Sequence, residues 1–298
     1  MFRAMRLRPA LIASLLLCVC AAGCGDTKNT TVQVKRAERP AALRTGLRVG
    51  VVGPLRVRVE GAVPERGRLS DVAGDALVLV TAGRVDPAAL AASAEAHPSS
   101  HFALVGAPTD GDKRPNVLGL VLNEREAAEL GGVVAGLVAG DQGGKEARVA
   151  WVGPEERALA SFFARGAQDV RPRTTVLRAW SRDDPAACKE AALGAIDRGA
   201  VAIMAHGGSC AAAAIAGAHQ QNVVGLRVAD FELPEVAAES AVRDAVAGVY
   251  RGGEDIVFDA ASGAIGVRRL DPRVPPDLAV RARTAAQDLA EGRRPSGR

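Results

Sequence analysis

The sequence predicts an α/β protein with two lobes, each built on a parallel sheet. Short runs of Val, Leu, Ile and Ala alternate with Ala-rich stretches that carry helix start and stop signals, a pattern typical of parallel strands covered on both faces. Eight such runs exceed what one compact sheet holds, so two Rossmann-like lobes joined by several crossing strands are expected. The predicted strands span residues 47–53, 76–82, 101–107, 117–122, 147–153, 174–180, 200–205 and 222–228.

Helices are predicted where an acidic, amide or proline residue opens an Ala-rich stretch. In chain order, the predicted helix starts are Asp86 before Pro87, Asn123 after the fourth strand, Pro154, and Asp184 before Pro185. Glu126 stands three residues after Asn123, so this pair predicts a capping box. The segment that follows the first strand carries no convincing helix pattern.

The helix that starts after Asn123 has an acidic beginning and a nearly pure Gly, Ala, Val and Leu continuation. Its apolar part, residues 130–140, is much shorter than the roughly 20 residues that span a bilayer. Gly132, Gly136 and Gly140 recur every four residues and leave one stripe of bare backbone. In lipid this stripe would suggest helix dimerisation. In an α/β domain it predicts a helix lying very close to a sheet, which is the interpretation we favour.

The N-terminus has the features of a bacterial export signal. Three arginines precede an apolar run over residues 10–19, and small residues then lead to Cys24. This resembles a lipobox, so residues 1–23 are predicted to be a signal peptide, Cys24 the lipidation site, and residues 24–45 a flexible tether. An ordinary signal peptide or an uncleaved anchor remains the alternative. The protein is expected to be exported and lipid-anchored to the outer face of the bacterial cell membrane.

Composition and motifs argue against several classes of function. The net charge of +4 includes three leader arginines, and no basic run is interleaved with aromatic residues, so no nucleic-acid partner is expected. No P-loop, Gly-x-Ser-x-Gly elbow or dinucleotide fingerprint is present. His97 and His101 flank Pro98, which prevents them from sharing a helix face as metal ligands. We therefore expect no enzyme, no cofactor and no metal.

A ligand site is predicted at the carboxyl ends of the strands, because ligands of open α/β sheets bind there. Gly-rich strand ends let backbone N–H groups approach a ligand, and charged side chains supply strong hydrogen bonds. Turn formation and helix capping are the alternative role for each residue taken singly. The predicted ligand-binding residues are Gly83, Arg84, Trp180, Arg182, Asp184, His206, Gly207, Gly208, Arg227, Asp230 and Phe231.

Two cysteines remain after the leader and the lipidation site are set aside. Cys188 and Cys210 form an even pair in an oxidising compartment, and each lies near the start of a helix at the same end of neighbouring strand–helix units. A disulfide between them is the hypothesis. Two buried thiols that pack like alanine are the alternative.

Several stretches together resemble the BMP (basic membrane protein) family of lipid-anchored substrate-binding proteins. The resemblance covers residues 86–107 and 115–292. It rests on the start of the long helix at residues 129–132, the strand end at Gly153, Phe163 in the next helix, Asp184 before an Ala-rich helix, and the strand and Gly-rich loop over residues 199–208.

The resemblance implies the type 1 periplasmic-binding fold. Lobe 1 would comprise residues 46–121 with 229–267, and lobe 2 residues 122–228 with 268–298. It further implies a monomeric binding protein of an ABC importer, which closes on a small, nucleoside-like ligand and delivers it to a permease.

The chain departs from the family pattern at three places. No Asp-x-Ser-Phe-Asn-like loop follows the first strand, so lobe 1 is expected to be shortened. Glu129 stands where the family has Tyr, and Arg227 stands where it has Asp, unless Asp230 takes over that role. The alternative function is therefore a degenerate, non-transport sensory or structural lipoprotein that keeps the scaffold.

Overall fold

Two parallel sheets form the framework of the chain. The computed structural model describes residues 46–144 and 146–294, so the predicted signal peptide, the lipidation site Cys24 and the tether lie outside the described residues. The first sheet has the strand order β10-β5-β4-β3-β1-β2 and the second has the order β7-β6-β8-β9. We call these sheets, with the helices that pack on them, lobe 1 and lobe 2.

All strand pairs within both sheets are parallel. Lobe 1 contains β1 Leu47–Val52, β2 Ala62–Arg66, β3 Leu77–Thr81, β4 His101–Val105, β5 Val117–Leu122 and β10 Asp255–Phe258. Lobe 2 contains β6 Arg148–Gly153, β7 Thr175–Trp180, β8 Ala200–Ala205 and β9 Val224–Arg227. The eight predicted strands are all present, and β2 and β10 are additional.

Helices connect most successive strands, as the alternating pattern predicts, but the connections from β1 to β2 and from β4 to β5 contain none. They are α1 Leu69–Val72, α2 Pro87–Ala96, α3 Glu124–Gln142, α4 Arg157–Val170, α5 Pro185–Asp197, α6 Gly208–Gln220, α7 Pro234–Val246 and α8 Pro276–Ala290. Two predicted N-caps are confirmed. The carboxylate of Asp86 accepts from the N–H of Ala88 at 2.7 Å, and that of Asp184 accepts from the N–H of Ala187 at 2.8 Å.

Helix α3 is buried on every side over residues 127–139, which explains why its sequence there is apolar all round except at Glu129. Within residues 46–144 and 146–294, no helix is long and apolar enough to cross a membrane. The predicted packing of its glycine stripe on a sheet is wrong. A Cβ on Gly132 would lie 2.0 Å from the carbonyl oxygen of Phe163, so the stripe packs against α4 instead.

The capping box predicted at the start of α3 is also wrong. The helix begins after Asn123, but the Asn123 side chain makes no cap hydrogen bond. Glu126 instead accepts from the N–H of Ala260 at 2.6 Å, in the segment that follows β10. A tertiary contact thus replaces the local one, because the segment after β10 offers the Glu126 carboxylate a better N–H donor than the first turn of α3 does.

Three segments cross between the lobes and are hydrogen-bonded to one another. Asn123 donates its N–H to the carbonyl of Phe258 at 2.9 Å. Glu232 and Ile265 form an antiparallel bridge, and Gly266 donates to the carbonyl of Phe231 at 2.9 Å. These contacts define the hinge, which comprises residues 123–124, 228–233 and 258–266.

The connection after β1 contains no helix, as predicted. Residues 53–61 run from β1 to β2 without a helix or a strand, and the side chains of residues 54–58 alternate between exposed and buried. Leu55 and Val57 enter the main core, where a covering helix would otherwise lie. The shortening of lobe 1 is thus confined to this connection, because the sheet itself has six strands.

Candidate functional site

A pocket of about 290 Å³ opens where β8 and β9 of lobe 2 end beside the hinge. His206, Gly207, Gly208 and Arg227 line it from the strand ends, and Glu124 and Glu232 line it from two of the crossing segments. Small apolar residues complete its wall. We call it the hinge pocket. It brings together four of the predicted ligand-binding residues and adds two carboxylates.

The glycines at the end of β8 let the chain turn into α6 beneath the pocket. Gly207 has φ 88°, in the left-handed region that favours glycine, and α6 begins at Gly208 without a side-chain cap. The first N–H groups of α6 therefore face the pocket side of lobe 2 with a partial positive charge.

His206 is held between an aromatic ring and a carboxylate. Its ring stacks on Trp151 with the centroids 6.0 Å apart, and its Nε2 lies 3.8 Å from Oε1 of Glu124. The contact with Glu124 raises the pKa of His206, and burial opposes that effect only in part. Its Nδ1 is buried and has no hydrogen-bond partner among the described residues.

Glu232 is a half-buried carboxyl group in the hinge. Burial raises its pKa to about 7, the negative charge of Glu124 adds to this shift, and His206 opposes it. Within the described chain its carboxylate makes no hydrogen bond or ion pair. Such a group is costly to bury, and it is therefore a candidate for contact with a ligand.

Arg227 and Asp230 satisfy each other. Nε and Nη2 of Arg227 donate to Oδ1 of Asp230 at 3.0 and 2.6 Å, and the Arg227 N–H donates to Oδ2 at 2.9 Å. Arg227 therefore lines the pocket with its charge already compensated. Asp230 lies on the far side of this pair, where it lines a neighbouring cavity of about 350 Å³.

The remaining predicted residues lie elsewhere. Gly83 and Arg84 are exposed after β3 and do not line the hinge pocket. Trp180 is half-buried at the end of the edge strand β7, Arg182 follows it, and Asp184 serves as the cap of α5. Capping is thus the observed role of Asp184.

Phe231 has no exposed surface, so the prediction that it faces the ligand does not hold in this conformation. Its ring lies against α3, where a Cβ on Gly131 would be 3.1 Å from its Cε2. Among the described residues, neither Trp180 nor Phe231 lines the hinge pocket. An aromatic sandwich for a nucleobase is accordingly not assembled there.

Cys188 and Cys210 are joined by a disulfide in the structure, with their Cα atoms 5.3 Å apart. The bond links the first turns of α5 and α6 below the loop that carries His206 and Gly207. Both cysteines are fully buried. The link restrains the strand-end loop that lines the pocket.

Glu124 and Glu232 were not among the residues predicted from the sequence. Glu124 lies in the first turn of a helix, where the sequence indicates only a charge that complements the helix dipole. Glu232 lies in a short segment between a 3₁₀ turn and α7. The available signal was their position at the crossings between lobes, because ligands of two-lobed proteins bind next to the hinge.

A larger cavity of about 940 Å³ lies on the other side of Glu124, between α3, α4 and the end of α8. Its most buried charged group is Glu129, which is already paired with Arg165. That group leaves no unsatisfied partner for a ligand. The hinge pocket, with its unpartnered carboxylate, is therefore the better candidate.

Solved structures with the same two-lobed architecture are found among solute-binding proteins. An ABC transporter solute-binding protein from Conexibacter woesei has a TM-score of 0.57 at 20% identity, covering 83% of this chain and 97% of that chain. A second, from Aeropyrum pernix, has a TM-score of 0.51 at 17% identity, covering 83% of this chain and 90% of that chain. No protein-family model and no curated protein matches the chain.

The same architecture occurs outside transport. A transcriptional activator of the comK gene from Bacillus halodurans has a TM-score of 0.57 at 14% identity, covering 78% of this chain and 89% of that chain. Together these likenesses establish the type 1 periplasmic-binding fold with two parallel sheets. The related structures are named as solute-binding proteins and a regulator rather than as enzymes.

Proposed function

We propose that the protein is an extracytoplasmic solute-binding protein of an ABC importer, which closes its two lobes on a small polar ligand. The hinge pocket carries this proposal: it lies at strand ends, beside three crossing segments, and it contains a half-buried carboxyl group without a hydrogen bond or ion pair. Closure about the hinge would bring the strand ends of lobe 1 over the ligand. The role is binding and delivery to a permease, not catalysis.

The finer parts of the proposal rest on the sequence. The lipobox-like stretch that ends at Cys24 supports a lipid anchor on the outer face of the cell membrane. The resemblance to the BMP family supports membership of that family, a monomeric state, and the division into residues 46–121 with 229–267 and residues 122–228 with 268–298. It also favours a nucleoside-like ligand. The pocket itself offers charge and hydrogen bonding rather than an aromatic face.

A degenerate sensory or structural lipoprotein is the second candidate. One observation favours it: the connection over residues 53–61 has neither a helix nor a ligand-contacting loop, so lobe 1 contributes less to the cleft than lobe 2. A protein of this kind would keep the scaffold and bind no transported solute.

A thermal-shift screen of the full chain separates the two candidates. We expect at least one compound among nucleosides, sugars, amino acids and small amines to raise the melting temperature, because a ligand that binds only the folded state stabilises it. Failure of every compound would contradict the transport proposal and leave the degenerate scaffold.

A pocket-filling variant locates the binding. Ala229 is exposed and lines the hinge pocket, so Ala229→Phe should abolish the ligand-induced shift while leaving the melting temperature of the free protein unchanged. Ala89→Phe, at an exposed position on the outer helix α2, is the matched control and should keep the full shift.

A further inference from the structure

Two carboxyl groups line the hinge pocket, and they restrict the chemistry of its ligand. Glu124 and Glu232 both line it, and each comes from a segment that crosses between the lobes. Glu156, at the start of α4, adds a third negative charge that acts on His206. Glu124 and Glu232 thus come from separate segments and line one cavity, and Glu156 lies outside its lining.

The positive side chains that line the pocket already have partners. Arg227 is committed to Asp230 through two side-chain hydrogen bonds. His206 is directed at Glu124, with 3.8 Å between Nε2 and Oε1. The N-terminus of α6 supplies about half a positive charge. Glu232 makes no hydrogen bond or ion pair in the described chain, and the charge of His206 acts on it only from a distance.

We infer that the hinge pocket binds a small ligand through an ammonium or guanidinium group, with Glu232 as the residue that receives this group and Glu124 beside it. This inference rests on the proposed solute-binding function and names its ligand class. A cation with N–H donors would supply the ion pair and the hydrogen bonds that the Glu232 carboxylate lacks.

The position of Glu232 also links the cation to lobe closure. Its backbone forms the bridge to Ile265, and the next residue, Leu233, donates to the carbonyl of Ala264 at 2.7 Å. A cation held by this carboxylate therefore contacts the segment about which the lobes move. The volume of about 290 Å³ limits the bound group to a short amine or a guanidinium head.

Isothermal titration calorimetry of the full chain at pH 8 tests the inference with ligands of matched length. Putrescine, 1,4-butanediol and succinate share a four-carbon chain and differ in charge; ethanolamine and agmatine extend the cationic set. We expect at least one of the three cations to bind and both uncharged and anionic probes to fail. Glu232→Gln should weaken cation binding by tenfold or more.

Glu254→Gln, an exposed carboxylate in the loop before β10, is the matched control and should leave the affinity unchanged. The cations keep their charge between pH 8 and pH 6. The affinity for the cation should therefore fall over this range, because Glu232 takes up a proton. The fall should be smaller in Glu232→Gln. Glu124, His206 and Arg227 are the other charged groups that line the pocket, and Asp230 and Glu156 act on Arg227 and His206 from outside it.

Two results would overturn the inference. One is a neutral or anionic ligand that binds with the same affinity in Glu232→Gln as in the unsubstituted chain, and the other is failure of all three cations while a nucleoside or sugar binds. Either result leaves the solute-binding function intact. Failure of every compound in the wider thermal-shift screen would instead contradict that function, so the two failures are distinguishable.

Discussion

Arg165 of α4 donates hydrogen bonds to both carboxylate oxygens of Glu129, which is buried on α3. The Glu129 side chain is only 6% exposed and that of Arg165 is 46% exposed, so the pair joins the buried helix to its more accessible neighbour. The guanidinium also lies 4.3 Å from the centroid of the Phe162 ring. Glu129 thus has a structural partner.

Removal of the arginine should destabilise the fold. Arg165→Met leaves the carboxylate of Glu129 buried without a counter-charge, and we expect a loss of about 3 kcal/mol, at the low end for a buried pair because water reaches the exposed side of Arg165. The check is the free energy of unfolding in urea. Arg173→Met, at an exposed arginine, should change little. Adding Glu129→Gln to Arg165→Met should restore part of the stability. If it restores none, the loss in Arg165→Met does not come from the unpaired Glu129 carboxylate.

The close crossing of α3 and α4 should not tolerate a methyl group. A Cβ on Gly132 would lie 2.0 Å from the backbone oxygen of Phe163, which cannot move without shifting α4. Gly132→Ala should cost about 2–3 kcal/mol in the same unfolding measurement. Gly194→Ala on α5 is the control, since a Cβ there meets nothing within 4 Å, and it should stabilise the protein by about 0.5–1 kcal/mol. Equal effects would show that the crossing is loose.

The buried strands were predictable because each carries a continuous apolar run. The two that were missed, β2 and β10, are the edge strands of lobe 1. Edge strands are covered on fewer sides, so β2 contains Pro64 and exposed charges, and Val257 in β10 is 62% exposed. Their place in the sheet follows from pairing with β1 and β5, which no local pattern reveals.

The candidate site was predictable in part for a similar reason. His206, Gly207, Gly208 and Arg227 follow strand ends, and that position can be read from the sequence. Glu232 lies beside them only because the hinge segments pair with each other, and Phe231 is buried because α3 covers it. Both positions depend on contacts between residues about 30 to 140 positions apart in the sequence. The spacing of apolar residues along the chain does not reveal such contacts.

The disulfide should contribute to stability by restricting the unfolded chain. Cys188 and Cys210 are 22 residues apart, which corresponds to about 3 kcal/mol in the loop-entropy estimate. The double variant Cys188→Ala and Cys210→Ala should lose about this amount, and reductant should affect the unsubstituted protein but not the variant. Thiol titration of the denatured, unreduced protein should find neither cysteine free. Two free thiols at these positions would exclude the bond.

Asp271 should make the fold sensitive to acid. Burial alone would raise its pKa, but hydrogen bonds from the N–H groups of Arg273 and Gly225 and from His219 outweigh burial and lower the pKa. Because the pKa of Asp271 is lower in the folded protein, ionised Asp271 stabilises the fold at pH values above its unfolded-state pKa, which is near 4. This stabilisation is lost as the pH falls through the folded-state pKa. Asp271→Asn should therefore cost about 1–2 kcal/mol at pH 7 and less at pH 3.

The exposed Asp277 supplies the control for that comparison. Asp277→Asn, in the first turn of α8, should change the free energy of unfolding by no more than a few tenths of a kcal/mol at either pH. A cost for Asp271→Asn that is the same at pH 7 and pH 3 would show that the ionised form of Asp271 is not what the hydrogen bonds stabilise.

The ionised form of Glu232 should destabilise the fold, whereas the ionised form of Asp271 stabilises it. This is the effect expected if Glu232 serves to bind a ligand. Its pKa of about 7 lies above the usual value because of burial and then of Glu124. Between the unfolded and folded pKa values the folded state holds a proton that the unfolded state has lost, so stability falls as the pH rises through this window. Ionised Glu232 then costs the folded protein up to about 3 kcal/mol above pH 7.

Glu232→Gln should remove this cost. The variant should match the unsubstituted protein at pH 4, where both carry a neutral group, and should be more stable at pH 8 in urea unfolding without ligand. Glu254→Gln should show no such gain, because Glu254 is exposed. A substitution that stabilises the free protein and weakens cation binding would mark Glu232 as a group whose burial is offset only by its ligand. A loss of stability at pH 8 would instead mean that Glu232 has a partner within the protein.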